Sequence, residues 1–257
     1  MLTREIMLAY AEYGSGPPVI LLHGLLGSKA NMTGVARALA SRFRTYVVDL
    51  RNHGDSFHHS TMSYGTMAAD LGGFMDDLDL DGASIVGHSM GGKCAMQLAL
   101  SFPERVDKLA VVDIAPKAYT DPFWVGYLDA MRSLDLGRLT SRKDADLLMQ
   151  GAVPDPVYRQ FLLANLENRG DGSYGWKPDL DAISAAQKAI SAAVSGPVCD
   201  VETLFIRGGR SDYISEGDSD LIGRLFPNST VLTIPGTGHL VHIEARNHFI
   251  QALNDFL

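Results

Sequence analysis

Ser84-Ile85-Val86-Gly87-His88-Ser89-Met90-Gly91-Gly92-Lys93 is the stretch on which the reading of this chain turns. A short β-branched run reaches a Gly-x-Ser-x-Gly pentapeptide, and a helix-like pattern from Met90 to Ser101 follows at once. A strand that bends sharply into a helix lifts its serine clear of the backbone and forces it into a strained conformation. So tight a turn leaves no room for neighbouring side chains, and glycine stands at 87 and 91. The helix N-terminus behind the serine offers free N–H groups and a positive dipole end to a developing oxyanion. With Gly and Ser each at roughly 7 %, this pentapeptide arises by accident in about one chain in ten of this length. Its position between a strand and a helix therefore carries more weight than the pattern alone.

Working outward, the same strand-then-helix rhythm recurs. Val19-Ile20-Leu21-Leu22 runs into His23-Gly24, Thr45-Tyr46-Val47-Val48 into Asp49, and Leu109-Ala110-Val111-Val112 into Asp113. Thr203-Leu204-Phe205-Ile206 and Val231-Leu232-Thr233-Ile234 end in the same way, at Arg207-Gly208 and Pro235-Gly236. Short apolar runs without polar alternation read as strands buried on both faces, hence a mostly parallel central sheet flanked by helices. The segment Leu8 to Gly14 reads as an antiparallel edge strand. Between Asp113 and Val201 the rhythm stops for more than 80 residues. Helix-like patterns lie there instead, around Trp124 to Leu134, Lys143 to Gln150, Asp155 to Asn165 and Leu180 to Val194. So long a structured interval is expected to be a helical cap inserted after strand six, over one end of the sheet. The expected division is a core of residues 1–116 and 201–257 with a cap of residues 117–200. Trp124 and Trp176 both fall in the cap, either lining a pocket or packing cap onto core.

Composition excludes several classes. The 257 residues include 22 Lys and Arg against 30 Asp and Glu, a net charge of −8, with 46 % hydrophobic and 20 % charged residues. That is an ordinary globular balance, without the clustered positive charge that nucleic acid or an anionic membrane surface requires. No apolar run approaches the roughly 18–20 residues that span a bilayer. Met1 to Ile6 contains an acid and no long apolar core, so no secretory signal is expected there. Two cysteines, Cys94 and Cys199, make no disulfide framework and fit a reducing compartment. The expectation is a cytoplasmic protein.

Two further segments bear on chemistry. His23-Gly24-Leu25-Leu26-Gly27-Ser28 follows a buried strand, and its turn can bring the N–H of Leu25 beside that of Met90. Two such donors form an oxyanion hole, each worth about 3 kcal/mol in the transition state. Of the eight histidines, His239 in Pro235-Gly236-Thr237-Gly238-His239 follows the last strand and so emerges at the same sheet end as Ser89. His242 lies three residues on, but without a third ligand or nearby acid it reads as a structural hydrogen-bonding residue. His53, His58 and His59 show no zinc spacing, while His23 and His88 flank the two backbone motifs. No metal site is expected.

Together these segments resemble the α/β-hydrolase superfamily and, within it, the YbfF-like esterases. The resemblance is carried by His23 to Gly27, Asp49-Leu50-Arg51-Asn52-His53-Gly54-Asp55-Ser56, Gly87 to Lys93, Asp113-Ile114-Ala115-Pro116 and Gly236 to His242. It implies the α/β-hydrolase fold, an esterase or related acyl hydrolase with a helical lid, and no cofactor. It assigns Ser89 as nucleophile, His239 as base, and Leu25 and Met90 as oxyanion donors. The Asp49 to Ser56 segment reads as structural.

The acid departs from the superfamily's usual pattern, which places Asp three residues after the glycine closing the seventh strand. Here Gly208 closes that strand and Ser211 occupies the position, while Asp212 fits only when counted from Gly209. Asp113 ends the sixth strand at the same sheet edge as the elbow. Both carboxylates are open on spacing, with Asp179 and Asp181 as outsiders. The resemblance favours Asp113 and makes Ser211 an auxiliary hydrogen-bond partner of His239.

The expected activity is that of a serine carboxylesterase acting on a small-molecule ester of short or medium acyl chain. Acyl thioesters come with the resemblance, but residues 117–200 hold 9 basic and 11 acidic side chains, no cationic platform for a CoA phosphate. A carbon–carbon bond hydrolase, an enol-lactonase or a perhydrolase would use the same residues. A non-catalytic small-ligand receptor is the rival from another class.

Overall fold

Strands without polar alternation need cover on both faces, and this chain supplies it with two layers of helices. The computed structural model describes residues 8–120 and 122–257, so the Met1 to Ile6 segment lies outside the described residues. Every expected run forms a strand: Tyr10–Tyr13 (β1), Pro18–Leu22 (β2), Arg44–Val48 (β3), Ala83–His88 (β4) and Val106–Val112 (β5). After two short strands, Leu166–Asn168 (β6) and Tyr174–Trp176 (β7), come Thr203–Gly208 (β8) and Ser229–Ile234 (β9). The main sheet runs β1-β3-β2-β4-β5-β8-β9. Only β1 pairs antiparallel, on the outer edge of β3.

Alternate residues of each central strand enter opposite apolar layers. Ile20, Leu22, Ile85 and Val111 pack on one side with the helices Tyr64–Asp77 (α2) and Met90–Ser101 (α3). Val19, Leu21, Val86 and Val112 pack on the other, against Lys29–Leu39 (α1) and the C-terminal helix Arg246–Phe256. Helix α1 turns Met32, Val35, Ala36 and Leu39 inward, the i, i+3, i+4, i+7 stripe of an amphipathic helix. β9 departs from the expected burial on both faces. It is the edge strand, with Val231 and Leu232 exposed.

Register sets the site. Leu22 lies beside Gly87, His88 beside Val112, and Val112 beside Ile206. The carboxyl ends of β2, β4, β5 and β8 therefore finish in line. Chain order reverses between β2 and β4, since β2 also neighbours β3, and such a switch point opens a crevice outside the strand ends.

Among the described residues the strand that leads into Asp113 is the fifth in chain order. Before β2 these residues form a single strand, β1, and it pairs with the outer edge of β3.

The insert between β5 and β8 holds Pro122–Arg132 (α4), Arg142–Met149 (α5), Pro156–Leu163 (α6), Leu180–Ala185 (α7) and Gln187–Ser191 (α8). Two features differ from expectation. The pattern from Leu180 to Val194 breaks at Ala186, and β6 and β7 form an antiparallel hairpin. Its turn carries Gly170 and Gly172 at φ +84° and +90°, values open to glycine at no steric penalty. Strands of three residues are too short to show a period. The insert is tied to the loop after β2 and to the start of α2: Asn165 Nδ2 donates to Leu26 O at 2.6 Å, and Tyr64 Oη to Ile190 O at 2.6 Å. No helix among the described residues is long and apolar enough to cross a membrane.

Candidate active site

Ser89 joins β4 to α3 with φ +51° and ψ −115°, a region that non-glycine residues avoid. Its backbone N–H bonds Val112 O at 2.9 Å, and its carbonyl accepts Lys93 N–H at 3.0 Å, so the sheet and the helix hold the bend from both sides. A Cβ on Gly87 would collide with the Gly91 carbonyl, and one on Gly91 would sit 2.6 Å from His23 O. Gly87→Ala is therefore expected to lower stability by about 1–3 kcal/mol and to reduce turnover together with it. Gly73→Ala, at an exposed position of α2 where an added Cβ meets nothing within 4 Å, should instead stabilise by roughly 0.5–1 kcal/mol. Thermal melts of both variants check the pair.

The turn after β2 packs on this elbow: a Cβ on Gly24 would stand 3.4 Å from Ser89 Cβ and 2.8 Å from His88 Nδ1. Leu25 and Met90 line one cavity with Ser89. Met90 is the first residue of α3, where helix N–H groups have no intrahelical acceptor.

His239 arrives from the loop after β9. Arg210 N–H bonds Thr237 O at 2.8 Å, Thr237 Oγ1 bonds Ile234 O at 2.8 Å, and Gly238 N–H bonds Glu244 Oε2 at 2.8 Å. His88 Nε2 donates to His239 O at 2.9 Å. Held in this way, His239 Nε2 lies 3.0 Å from Ser89 Oγ and Nδ1 lies 2.8 Å from Asp113 Oδ2. A carboxylate on Nδ1 selects the tautomer with its proton there, leaving Nε2 to accept from the hydroxyl.

Asp113 is fully buried at φ +51°, directly after β5. Besides the imidazole it accepts Gly208 N–H at 2.8 Å and Ser211 Oγ–H at 2.5 Å. Three donors offset much of the penalty of burying the charge. Asp212 is exposed and makes no such contact, so the carboxylate facing the imidazole is Asp113. Ser211 bonds Asp113 rather than His239, which corrects the expected pairing: its hydroxyl reaches the oxygen that already serves Nδ1. Asp179 lies in the insert and caps α7 through Ala182 N–H at 2.9 Å, and exposed Asp181 pairs with Arg132.

Four buried histidines around the site stay neutral. Burial lowers His23 and His88, and lowers His53 and His242 to about 3. His242 departs from its expected hydrogen-bonding role. Both ring nitrogens lack partners among the described residues, and the ring packs 4.6 Å from His88 and 6.3 Å from Phe249. Asp49 accepts from Lys29 N–H, Lys29 Nζ and Asp55 N–H, a clamp on the loop rather than part of the site. Among the described residues no group of three or more His, Cys, Asp or Glu could hold a metal ion.

Residues that spacing alone did not mark surround this row. Tyr213 stacks on His239 with ring centroids 3.9 Å apart, and its hydroxyl accepts Trp124 Nε1–H at 2.9 Å. Trp124 thereby lines the pocket, while Trp176 bonds Met131 O within the insert. The cavity spans about 620 Å³, its open mouth included, and its walls are mainly apolar: Leu25, Met90, Ile114, Leu128, Ile183 and Ile190 among them. Tyr213 follows Ser211 by two residues, but nothing in the pattern announces a stacking partner for a histidine 26 positions away.

A family profile described as alpha/beta hydrolase fold matches residues 17–246. The sn-1-specific diacylglycerol lipase ABHD11 of Mus musculus is 39 % identical over 254 residues, 94 % of this chain and 81 % of its own. Esterase YbfF of Escherichia coli (strain K12) is 33 % identical over 240 residues, 93 % of this chain and 92 % of its own. Among solved structures, a marine microorganism esterase superposes with a TM-score of 0.96 at 38 % identity, covering 98 % of this chain and 100 % of that one. Sheet order, elbow and similarity converge, and the chain belongs to the α/β-hydrolase fold family, among the relatives of esterase YbfF.

Proposed function

We propose that this chain is a serine carboxylic-ester hydrolase, with Ser89 as nucleophile, His239 as general base, Asp113 as the acid that orients it, and Ser211 as auxiliary to Asp113. The observation that carries this reading is the unbroken row Ser89 Oγ, His239 Nε2, His239 Nδ1, Asp113 Oδ2, with links of 3.0 and 2.8 Å. In the first half-reaction Ser89 Oγ attacks the acyl carbon while its proton passes to His239 Nε2. Asp113 stabilises the imidazolium without taking its proton, and the N–H groups of Leu25 and Met90 hold the oxyanion. The tetrahedral species collapses with the His239 proton going to the leaving alkoxide, which departs as alcohol. Water, deprotonated by His239, then opens the acyl-enzyme to the free acid and restores Ser89.

In this reading residues 117–200 act as a cap that encloses the acyl chain against Leu128, Ile183 and Ile190. The cavity suits short or medium acyl chains. The lipase and esterase names of the relatives support the reaction class. A cytoplasmic location accords with two buried, unpaired cysteines, Cys94 and Cys199.

Rapid mixing with p-nitrophenyl butyrate should release a burst of p-nitrophenol equal to the enzyme present, followed by slower steady turnover. Octanoate should still be turned over, and palmitate should fall by about tenfold or more in kcat/KM. Saturable binding of these esters without any release of nitrophenol would favour a receptor and defeat the proposal.

A further inference from the structure

Lys93 stands four residues after Ser89 on α3, so the two share a helix face one turn apart. Its side chain is buried, with 1 % of the residue exposed, and it lines the same cavity as Ser89. The ammonium donates to Ala192 O at 2.6 Å. It also lies 4.8 Å from the ring centre of Tyr119 and 5.3 Å from that of Tyr64. An ammonium has three N–H donors, and among the described residues one of them meets an oxygen. No carboxylate of the described residues lies within 4.0 Å of it.

The surrounding groups supply no counter-ion. Tyr64 comes from α2 and Tyr119 from the segment after β5, and burial raises both hydroxyls so that they stay protonated. Cys94, next along α3, is likewise raised by burial. Beyond Tyr119, Lys117 is already paired with Asp218 at 2.7 Å. Gln187 and Ser191 on the insert side of the cavity are neutral. A buried cation with ring faces, one carbonyl and a cavity around it lacks only an anion. The row Asp113–His239 is engaged with Ser89 and is not near enough to pair with it.

We infer that Lys93 is a specificity-determining residue whose ammonium receives a carboxylate on the substrate, so that half-esters of dicarboxylic acids are preferred over neutral esters of equal length. This rests on the ester-hydrolase reading above and names its substrate class. Burial lowers the free lysine to about 7, and a bound carboxylate raises it again. The anchor is therefore present below pH 7 and weakens as pH rises above it. KM for a half-ester should climb between pH 6.5 and 8.5, relative to KM for its neutral counterpart.

The test compares monoethyl succinate with ethyl butyrate, and monoethyl adipate with ethyl hexanoate, by chromatography of the acid released. At one or both lengths the wild-type protein should favour the half-ester by about tenfold or more in kcat/KM. Lys93→Met should lower that ratio by a similar factor, through KM, and Lys93→Arg should retain most of it. Because the ratio is read within one protein, it is insensitive to how much of a variant is folded. A ratio unchanged in Lys93→Met means that Lys93 only ties α3 to Ala192, and overturns the inference. Calorimetry with free succinate and adipate on Ser89→Ala gives a readout without turnover. Binding there, weakened about tenfold by adding Lys93→Met, supports the anchor even if ester hydrolysis fails. No binding of either dicarboxylate, together with efficient neutral-ester turnover, overturns the anchor and leaves the hydrolase reading standing.

Discussion

Ser89→Ala is expected to lower kcat for p-nitrophenyl butyrate by about 10⁵- to 10⁶-fold and to abolish labelling by a fluorophosphonate probe. The size follows from the proposed mechanism, in which Ser89 Oγ forms the acyl-enzyme and the remaining members of the row act as a unit with it. Residual hydrolysis is expected from substrate binding and from the proposed oxyanion donors, the N–H groups of Leu25 and Met90, which alanine leaves in place. The fold is expected to survive. Position 89 keeps the backbone bonds to Val112 O and from Lys93 N–H, and the hydroxyl contributes no cap to α3. Melting within a few degrees of wild type, with turnover measured on the same preparation, separates chemistry from unfolding. Undiminished turnover, or labelling that persists in the variant, would remove Ser89 from the mechanism.

Asp113→Asn should lower kcat by about 10⁴-fold, and Asp212→Asn should leave it within about twofold. The first substitution keeps the shape and removes the charge that selects the His239 tautomer. An asparagine amide can present N–H to His239 Nδ1, which moves the imidazole proton to Nε2 and blocks acceptance from Ser89. Gly208 N–H and Ser211 Oγ–H also lose a charged acceptor. Asparagine is the suitable probe because it tolerates the left-handed backbone at φ +51° better than most residues. Asp212 is exposed and touches none of the row, so its charge acts through solvent. Steady-state kinetics on the two variants decide between the carboxylates. An inactive Asp212→Asn beside an active Asp113→Asn would reverse the assignment.

The site shows a sharp division between local and distant information. The elbow was legible because its serine and both of its glycines stand together at positions 87 to 91, between a strand and a helix. Gly87 and Gly91 are dictated by contacts with the Gly91 and His23 carbonyls, and the strand and helix on either side announce themselves by their apolar periods. The central strands were legible for the same reason, since burial on both faces leaves uninterrupted apolar runs. The edge strand β9 misled because its apolar residues have the same composition as a buried run, and only its place in the sheet order exposes them. The β6–β7 hairpin escaped because three-residue strands carry no measurable alternation.

Local sequence thus settled the parallel sheet, the strained serine turn and the family of the chain, since each leaves its mark in runs and motifs of neighbouring residues. The carboxylate that meets His239, the partner of Ser211, the stacking of Tyr213 and the contact of the Lys93 ammonium with Ala192 O were decided by tertiary structure alone. Each joins groups from different strands or loops, 98 residues apart for Ser211 and Asp113 and 126 for His239 and Asp113. Strand register and loop path place such groups, and neither leaves a periodic trace in the order of amino acids.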